Sequence, residues 1–165
     1  MRKLPKIRTI LYATDLGKHM RPVFRHAMGL AEMYGAHVIM LHVAEPLTAT
    51  GQAIVEAYLP ADQVQRIHDS GMHEILETMR DRINRFCEEE TGATPEDSSL
   101  VSDVVVTHGR PGNEIPRQAK ERGADLIIMG SCSHGLLGRP ILGSSAKRVI
   151  QASEVPVLVV PNCHK

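Results

Sequence analysis

Residues Met129–Val149 read MGSCSHGLLGRPILGSSAKRV, and this stretch governs how the rest of the chain is interpreted. Its four glycines fall within fourteen residues, after an apolar run and before a segment with helical spacing. A glycine-rich turn after a strand lets backbone N–H groups approach an anion, and the next helix adds unpaired N–H groups and the positive end of its dipole. In Gly143-Ser144-Ser145 the two hydroxyls can donate to a phosphate. The alternative is a loop whose glycines satisfy turn geometry and whose serines cap the helix.

Outward from this stretch, short apolar runs alternate with helical periodicity. The apolar runs predict buried strands over residues 7–14, 37–44, 101–108, 124–130 and 155–160. The helical spacing recurs over residues 20–34, 62–90, 113–122 and 144–152. Strands that are apolar throughout and alternate with helices indicate a parallel sheet covered on both faces. We therefore predict one α/β domain over residues 1–165, with loops at 45–61 and 91–99.

Composition excludes several classes of function. The 19 basic and 19 acidic residues give a formal net charge of zero, so no overall field draws the chain to nucleic acid or to an anionic membrane. Aromatic residues make up only 3%, too few for a surface that stacks single-stranded bases. No apolar run approaches the roughly 20 residues that a membrane-spanning helix needs, and the N-terminus does not resemble a secretory signal. We expect a cytoplasmic protein.

The three cysteines, Cys87, Cys132 and Cys163, are odd in number and widely spaced. This spacing does not indicate a disulfide framework, and we expect free, reduced thiols. Cys132 and His134, together with Cys163 and His164, contain zinc-type ligands, but neither pair has the spacing of a known chelating hairpin. We therefore predict no metal site made by the protein alone.

The segments described above resemble those of the universal stress protein family. That family carries a motif of Gly, two residues, Gly, nine residues and then Gly-Ser or Gly-Thr, followed by a helix and a Pro-Val-Leu-Val-Val strand. Gly130 and Gly143-Ser144 stand at the separation of the motif, and residues 156–160 read PVLVV. The opening IRTILYATDLG, then HVIMLHV and DLIIMGS, are similar to the family's first, second and fourth strands.

The resemblance implies a three-layer Rossmann-like α/β fold, with a five-stranded parallel sheet in the order 3-2-1-4-5 and helices on both faces. It implies a regulatory stress-response protein that binds ATP with Mg²⁺, and a homodimer formed through the last strand. Carried over by motif position, the nucleotide-binding residues become Ala13, Asp15, Val43, Met129, Gly130, Ser133, Gly143, Ser144 and Ser145. In ATP-binding members the acid after the first strand lies near the ribose, and the glycine loop holds the phosphates.

One position departs from the family motif. Its second glycine is replaced by Ser133, and a Cβ there costs on the order of 1 kcal/mol if the backbone needs a positive φ. Asp15 also has a second interpretation as the N-cap of the helix that follows. The alternative function is therefore a universal stress protein that binds no nucleotide and serves as a protein-interaction or dimerisation module. We identify no catalytic nucleophile or base, and expect no enzyme; slow ATP hydrolysis or phosphotransfer is a third, unsupported hypothesis.

Overall fold

The computed structural model describes residues 4–46, 53, 57–58, 60–66, 72–132 and 142–163. The strands are β1 (Thr9–Thr14), β2 (His37–Ala44), β3 (Val101–His108), β4 (Leu126–Gly130) and β5 (Val157–Val160). The helices are α1 (Arg21–Tyr34), α2 (Ala61–Arg66), α3 (Met72–Thr91), α4 (Pro111–Glu121) and α5 (Ser144–Ala152), and a short 3-10 turn at Lys18–Met20 precedes α1.

The five strands form one sheet in the order β3-β2-β1-β4-β5, and every pairing is parallel. This confirms the predicted fold class and strand order. The strand β1 is central, with Ile10 paired to Val38 of β2 on one side and to Leu126 of β4 on the other. At the far edge, Gly130 of β4 pairs with Val160 of β5. All strands therefore end at the same edge of the sheet.

Alternate residues of each strand pack into separate cores on the two faces of the sheet. Along β1, Tyr12 belongs to the core beneath α1 and α3, whereas Leu11 belongs to the core beneath α4 and α5. Phe24 of α1 completes the first core, and Val149 of α5 completes the second. Because both faces are buried, the strands are apolar at successive positions instead of alternating with polar residues.

Local chemistry explains the helix that follows the first strand. Pro22 lies in the first turn of α1, where the N–H that proline lacks would have no intrahelical acceptor. Gly35 ends the helix with a φ of 60°, the left-handed conformation that glycine adopts without a steric penalty, and its N–H donates to Glu32 O. The predicted helix over residues 20–34 and its stop at Gly35 are confirmed.

Some predicted boundaries were wrong. The first strand begins at Thr9 and the fourth at Leu126, because the carboxylate of Asp125 accepts the N–H groups of Arg8 and Thr9 where a longer ladder was expected. The single predicted helix over 62–90 contains two helices, α2 and α3, and Gly71 between them lies outside the described residues. Within the predicted loop 45–61, positions 53, 57 and 58 are helical.

Truncation of Ile128, which is fully buried in the centre of β4, tests this packing. We expect Ile128→Ala to lower the free energy of unfolding by about 2–5 kcal/mol, because it removes apolar contacts and leaves a cavity. The matched control is Ile150→Ala on α5, where the side chain is 46% exposed and little stability should be lost. Urea denaturation measures both, and equal losses would contradict the assigned core.

Candidate functional site

A cleft of about 530 Å³ opens at the carboxyl edge of the sheet, where β1 and β4 lie side by side. The chain leaves β1 toward α1 on one face, whereas α5, which follows β4, packs on the other face. In open parallel sheets this divergence creates the crevice in which ligands bind. Seven of the nine predicted site residues line the cleft: Ala13, Asp15, Val43, Met129, Gly130, Gly143 and Ser145. Ser144 is exposed at the first position of α5, and Ser133 lies outside the described residues.

Asp15 organises the turn after β1 and does not cap α1. One carboxylate oxygen accepts the N–H of Gly17 at 2.8 Å, and the other lies 2.9 Å from Nε2 of His19. The interpretation of Asp15 as the N-cap of the helix was wrong, because the 3-10 turn intervenes and Met20 holds that position. Leu16 has a φ of 64°, a strained conformation for a leucine. The Asp15 carboxylate, 54% exposed, remains open to the cleft.

The start of α5 forms another part of the cleft wall. Gly143 is extended, with φ −61° and ψ 153°, and its carbonyl accepts the first intrahelical bond from Lys147 N–H. Its own N–H donates to Ser131 O at 2.8 Å. No side chain caps this helix among the described residues, so the serine-cap interpretation was wrong. The N–H groups of the next three residues, 144–146, have no intrahelical partner.

Asn162 is a site residue that sequence reasoning missed. It is 2% exposed, and its Oδ1 accepts the N–H of Cys132 at 2.9 Å. The side chain lies directly over Gly130, where an added Cβ would come within 2.5 Å of Nδ2. The absent side chain of Gly130 thus makes room for Asn162. The sequence signal that could have identified Asn162 is a polar residue just after β5. Because β4 and β5 end side by side, such a residue lies next to the end of β4.

Cys132 and Cys163 are joined by a disulfide, with their Cα atoms 5.3 Å apart. The expectation of three free thiols was therefore wrong, and only Cys87 is free among the described cysteines. The two cysteines follow the paired strand ends Gly130 and Val160, so the topology brings together residues that are 31 apart in sequence. In the disulfide the sulfurs are not thiolates, so they cannot serve as zinc ligands in this state.

His42 and Thr14 form a polar part of the wall. Nδ1 of His42 lies 2.8 Å from the backbone oxygen of Thr14. Because a carbonyl oxygen can only accept, Nδ1 must carry the hydrogen, and Nε2 of the neutral ring is then an acceptor. Beneath them Tyr12 is fully buried, and burial raises the pKa of its phenol well above the ordinary value. The tyrosine stays uncharged.

The described part of the chain lacks two other kinds of site. It contains no cluster of three or more His, Cys, Asp or Glu side chains placed to hold a metal ion. Nor does any helix in the same ranges have the length and apolar character needed to span a membrane.

The fold and the cleft define an α/β domain with an open cleft at the switch point of a parallel sheet. The model of the Universal stress protein family matches residues 6–161, and the chain belongs to that family. It is 28% identical over 151 residues to universal stress protein MJ0577 of Methanocaldococcus jannaschii, covering 92% of this chain and 93% of that protein. It is 30% identical over 153 residues to a universal stress protein of Thermus aquaticus, covering 93% and 98%.

Solved structures agree with the fold. The structure of MJ0577 superposes with a TM-score of 0.67 at 26% identity, covering 96% of this chain and 99% of that one. A universal stress protein crystallised in complex with cAMP superposes with a TM-score of 0.56, covering 95% and 98%, and at 18% identity it supports the fold alone.

The contact between Gly130 and Asn162 can be tested with a double-mutant cycle. We expect Gly130→Ala to destabilise the protein by about 1–3 kcal/mol, because the new Cβ displaces the buried asparagine. Asn162→Ala removes the acceptor for Cys132 N–H and should cost about 1–3 kcal/mol. The double variant should lose less than the sum of the two, since the clash no longer exists.

The matched control for that cycle is Asn113→Ala, an exposed asparagine on α4 whose truncation should cost little stability. Thermal and urea unfolding of the four proteins give the coupling. Additive losses would show that Gly130 and Asn162 do not pack against each other.

Proposed function

We propose that this protein binds an adenine nucleotide, ATP with Mg²⁺, in the cleft, and that it acts as a homodimeric regulatory protein of the stress response. The observation that carries the proposal is the meeting of Asp15, Gly130 and the start of α5 at one switch-point cleft. We further propose a cytoplasmic location and no enzymatic turnover, as the family resemblance implies.

One end of the cleft suits an adenosine. Leu41, Val43, Ile115 and Met129 give it apolar walls that a flat base can fill. Val43 at the end of β2 lines the cleft, and we expect backbone groups there to pair with the edge of the base. The carboxylate of Asp15 accepts hydrogen bonds, so ribose hydroxyls are suitable donors to it. A protein of this fold has been crystallised with cAMP, which makes an adenine nucleotide compatible with the fold.

The other end suits phosphates. The N–H groups of residues 144–146 point out of the first turn of α5, where the helix dipole favours negative charge. Ser145 lines the cleft and can add its hydroxyl. The N–H of Gly143 is already paired to Ser131, so its contribution is the path of the chain into the helix. Phosphate oxygens would carry the Mg²⁺, because the described protein groups form no metal cluster.

The dimer would form along the free edge of β5. The backbone oxygens of Pro156 and Val160 both accept hydrogen bonds from N–H groups in β4 or in the residue just after it. The N–H and C=O groups of the even-numbered residues in this segment therefore face β4. The N–H and C=O groups of Val157 and Val159 therefore face outward. Their partly exposed apolar side chains also suit contact with a second copy.

Nucleotide binding is tested by denaturing the purified protein and separating any released adenine nucleotide, together with calorimetry using ATP·Mg²⁺. We expect binding in the natural chain and its loss in Gly143→Val, because the valine side chain blocks close approach at the cleft. Ser145→Ala should weaken affinity about tenfold, since it removes a hydrogen bond to a charged phosphate. Ser144→Ala should do less, because Ser144 is exposed and outside the cleft wall.

The matched control is Ser99→Ala, an exposed serine in the loop before β3, which should leave affinity unchanged. Ser133→Gly restores the family motif and should increase affinity. An empty protein that binds no nucleotide with or without Ser133→Gly would overturn the proposal and favour the interaction module. Binding that appears only in Ser133→Gly would show that the natural chain has lost the ligand.

The dimer has its own test in Val159→Pro. Proline removes the outward N–H without disturbing the bonds to β4, so we expect a monomer by analytical ultracentrifugation and an unchanged circular dichroism spectrum. Val159→Thr, which keeps the N–H, is the control and should remain a dimer. A dimer in both variants would place the interface elsewhere.

A further inference from the structure

The disulfide lies in the wall of the cleft. Cys132 lines the cleft, and both cysteines are half-buried, so small molecules in solution can reach them. Their Cα separation of 5.3 Å is within the range that a disulfide requires. Cys87, in contrast, is fully buried in the core that Tyr12 and Phe24 share, and burial raises the pKa of its thiol, so it should react slowly.

Hydrogen bonds hold the same two segments together without the sulfur bond. Ser131 N–H donates to Val160 O at 3.0 Å, and Cys132 N–H donates to Asn162 Oδ1 at 2.9 Å. After reduction these bonds would keep the two thiols close to each other. Once one of them has formed a mixed disulfide, closure of Cys132–Cys163 is an intramolecular step between pre-positioned groups, which is strongly favoured over reaction with a second molecule.

We propose that Cys132 and Cys163 form a reversible redox site that exchanges with small-molecule thiols and disulfides, and that its state sets how firmly the cleft wall is held. Nothing in the nucleotide proposal requires these cysteines. The redox site stands on the geometry of the two strand ends alone.

The exchange is a two-electron reaction with a low-molecular-weight disulfide, RSSR, of the glutathione type. One cysteine thiolate attacks a sulfur of RSSR, forming a mixed disulfide and releasing RS⁻. The second thiolate then attacks the protein sulfur of that mixed disulfide, forming Cys132–Cys163 and releasing the second RS⁻. The two protein sulfurs lose two electrons, RSSR gains them, and the thiol protons pass to solvent or to RS⁻.

The disulfide connects to the cleft through the neck of the glycine loop, by which we mean Ser131-Cys132 and Leu142-Gly143. Cys132 forms an antiparallel bridge with Leu142, and Ser131 O accepts the N–H of Gly143, which begins α5. The disulfide thus ties the neck to the chain after β5. Reduction breaks this covalent link. The neck is then held to the chain after β5 by hydrogen bonds without a covalent link. We expect the reduced neck to open more often.

The redox site is tested by equilibrating the full chain in mixtures of reduced and oxidised glutathione, quenching with acid, and counting thiols by maleimide labelling and mass spectrometry. We expect two thiols to appear together as the mixture becomes more reducing, while Cys87 labels only in denaturant. Cys87→Ala, the matched control, should titrate in the same way. A disulfide that stays intact in excess reduced glutathione, or trapped mixed disulfides without Cys132–Cys163, would overturn the redox site.

Hydrogen exchange tests the link to the cleft without any nucleotide. Peptides spanning residues 129–132 and 142–146 should exchange about fivefold faster, or more, in the reduced protein, and a peptide from β2 should not change. Cys163→Ser should show the fast rate under both reducing and oxidising conditions. Equal exchange in the two states of the natural chain would overturn the link.

The effect on ligand affinity rests on the proposed function. If ATP·Mg²⁺ binds, the oxidised protein should bind it about fivefold more tightly than the reduced protein or Cys163→Ser, because an ordered wall loses less entropy on binding. Equal affinity in both states would overturn this part. Absence of nucleotide binding in both states would count against the proposed function, whereas thiol counting and hydrogen exchange would still decide the redox site.

Discussion

The parallel pairing of β1 with β2 on one side and with β4 on the other is the constraint on which the rest of the molecule depends. Both neighbours end at the same edge as β1, but the helices that follow β1 and β4 pack on opposite faces. The space left between the diverging connections is the cleft. The topology by itself leaves this space open, so the cleft does not require the absence of a side chain.

The glycines of the motif also have a structural role, which the resemblance to phosphate-binding loops does not indicate. Gly130 leaves room for the buried amide of Asn162, and the N–H of Gly143 is used to close the neck of the loop on Ser131. Neither glycine has a positive φ, so neither is explained by a left-handed turn. Gly130 and Gly143 thus set the path of the chain at the end of β4 and at the start of α5, and the first turn of α5 then presents its free N–H groups.

The polarity of the cleft follows from a few local groups in a chain with no net charge. Asp15 and Glu45 contribute carboxylates to the cleft lining, and the N-terminus of α5 contributes partial positive charge. The proposed adenine nucleotide, which has hydroxyl donors and anionic phosphates, is consistent with this polarity.

Short-range patterns in the sequence were sufficient for the fold and for naming seven residues that the structure places around one cleft. Apolar runs, the proline and glycine at the ends of α1, and the spacing from Gly130 to Gly143 each depend on neighbours within one element or one loop. Asn162 and the Cys132–Cys163 disulfide could not be found in that way. They depend on β4 and β5 ending side by side, which joins residues 31 positions apart. The direction of the Asp15 carboxylate was likewise decided by the turn after β1, because its oxygens bond Gly17 and His19 instead of capping a helix.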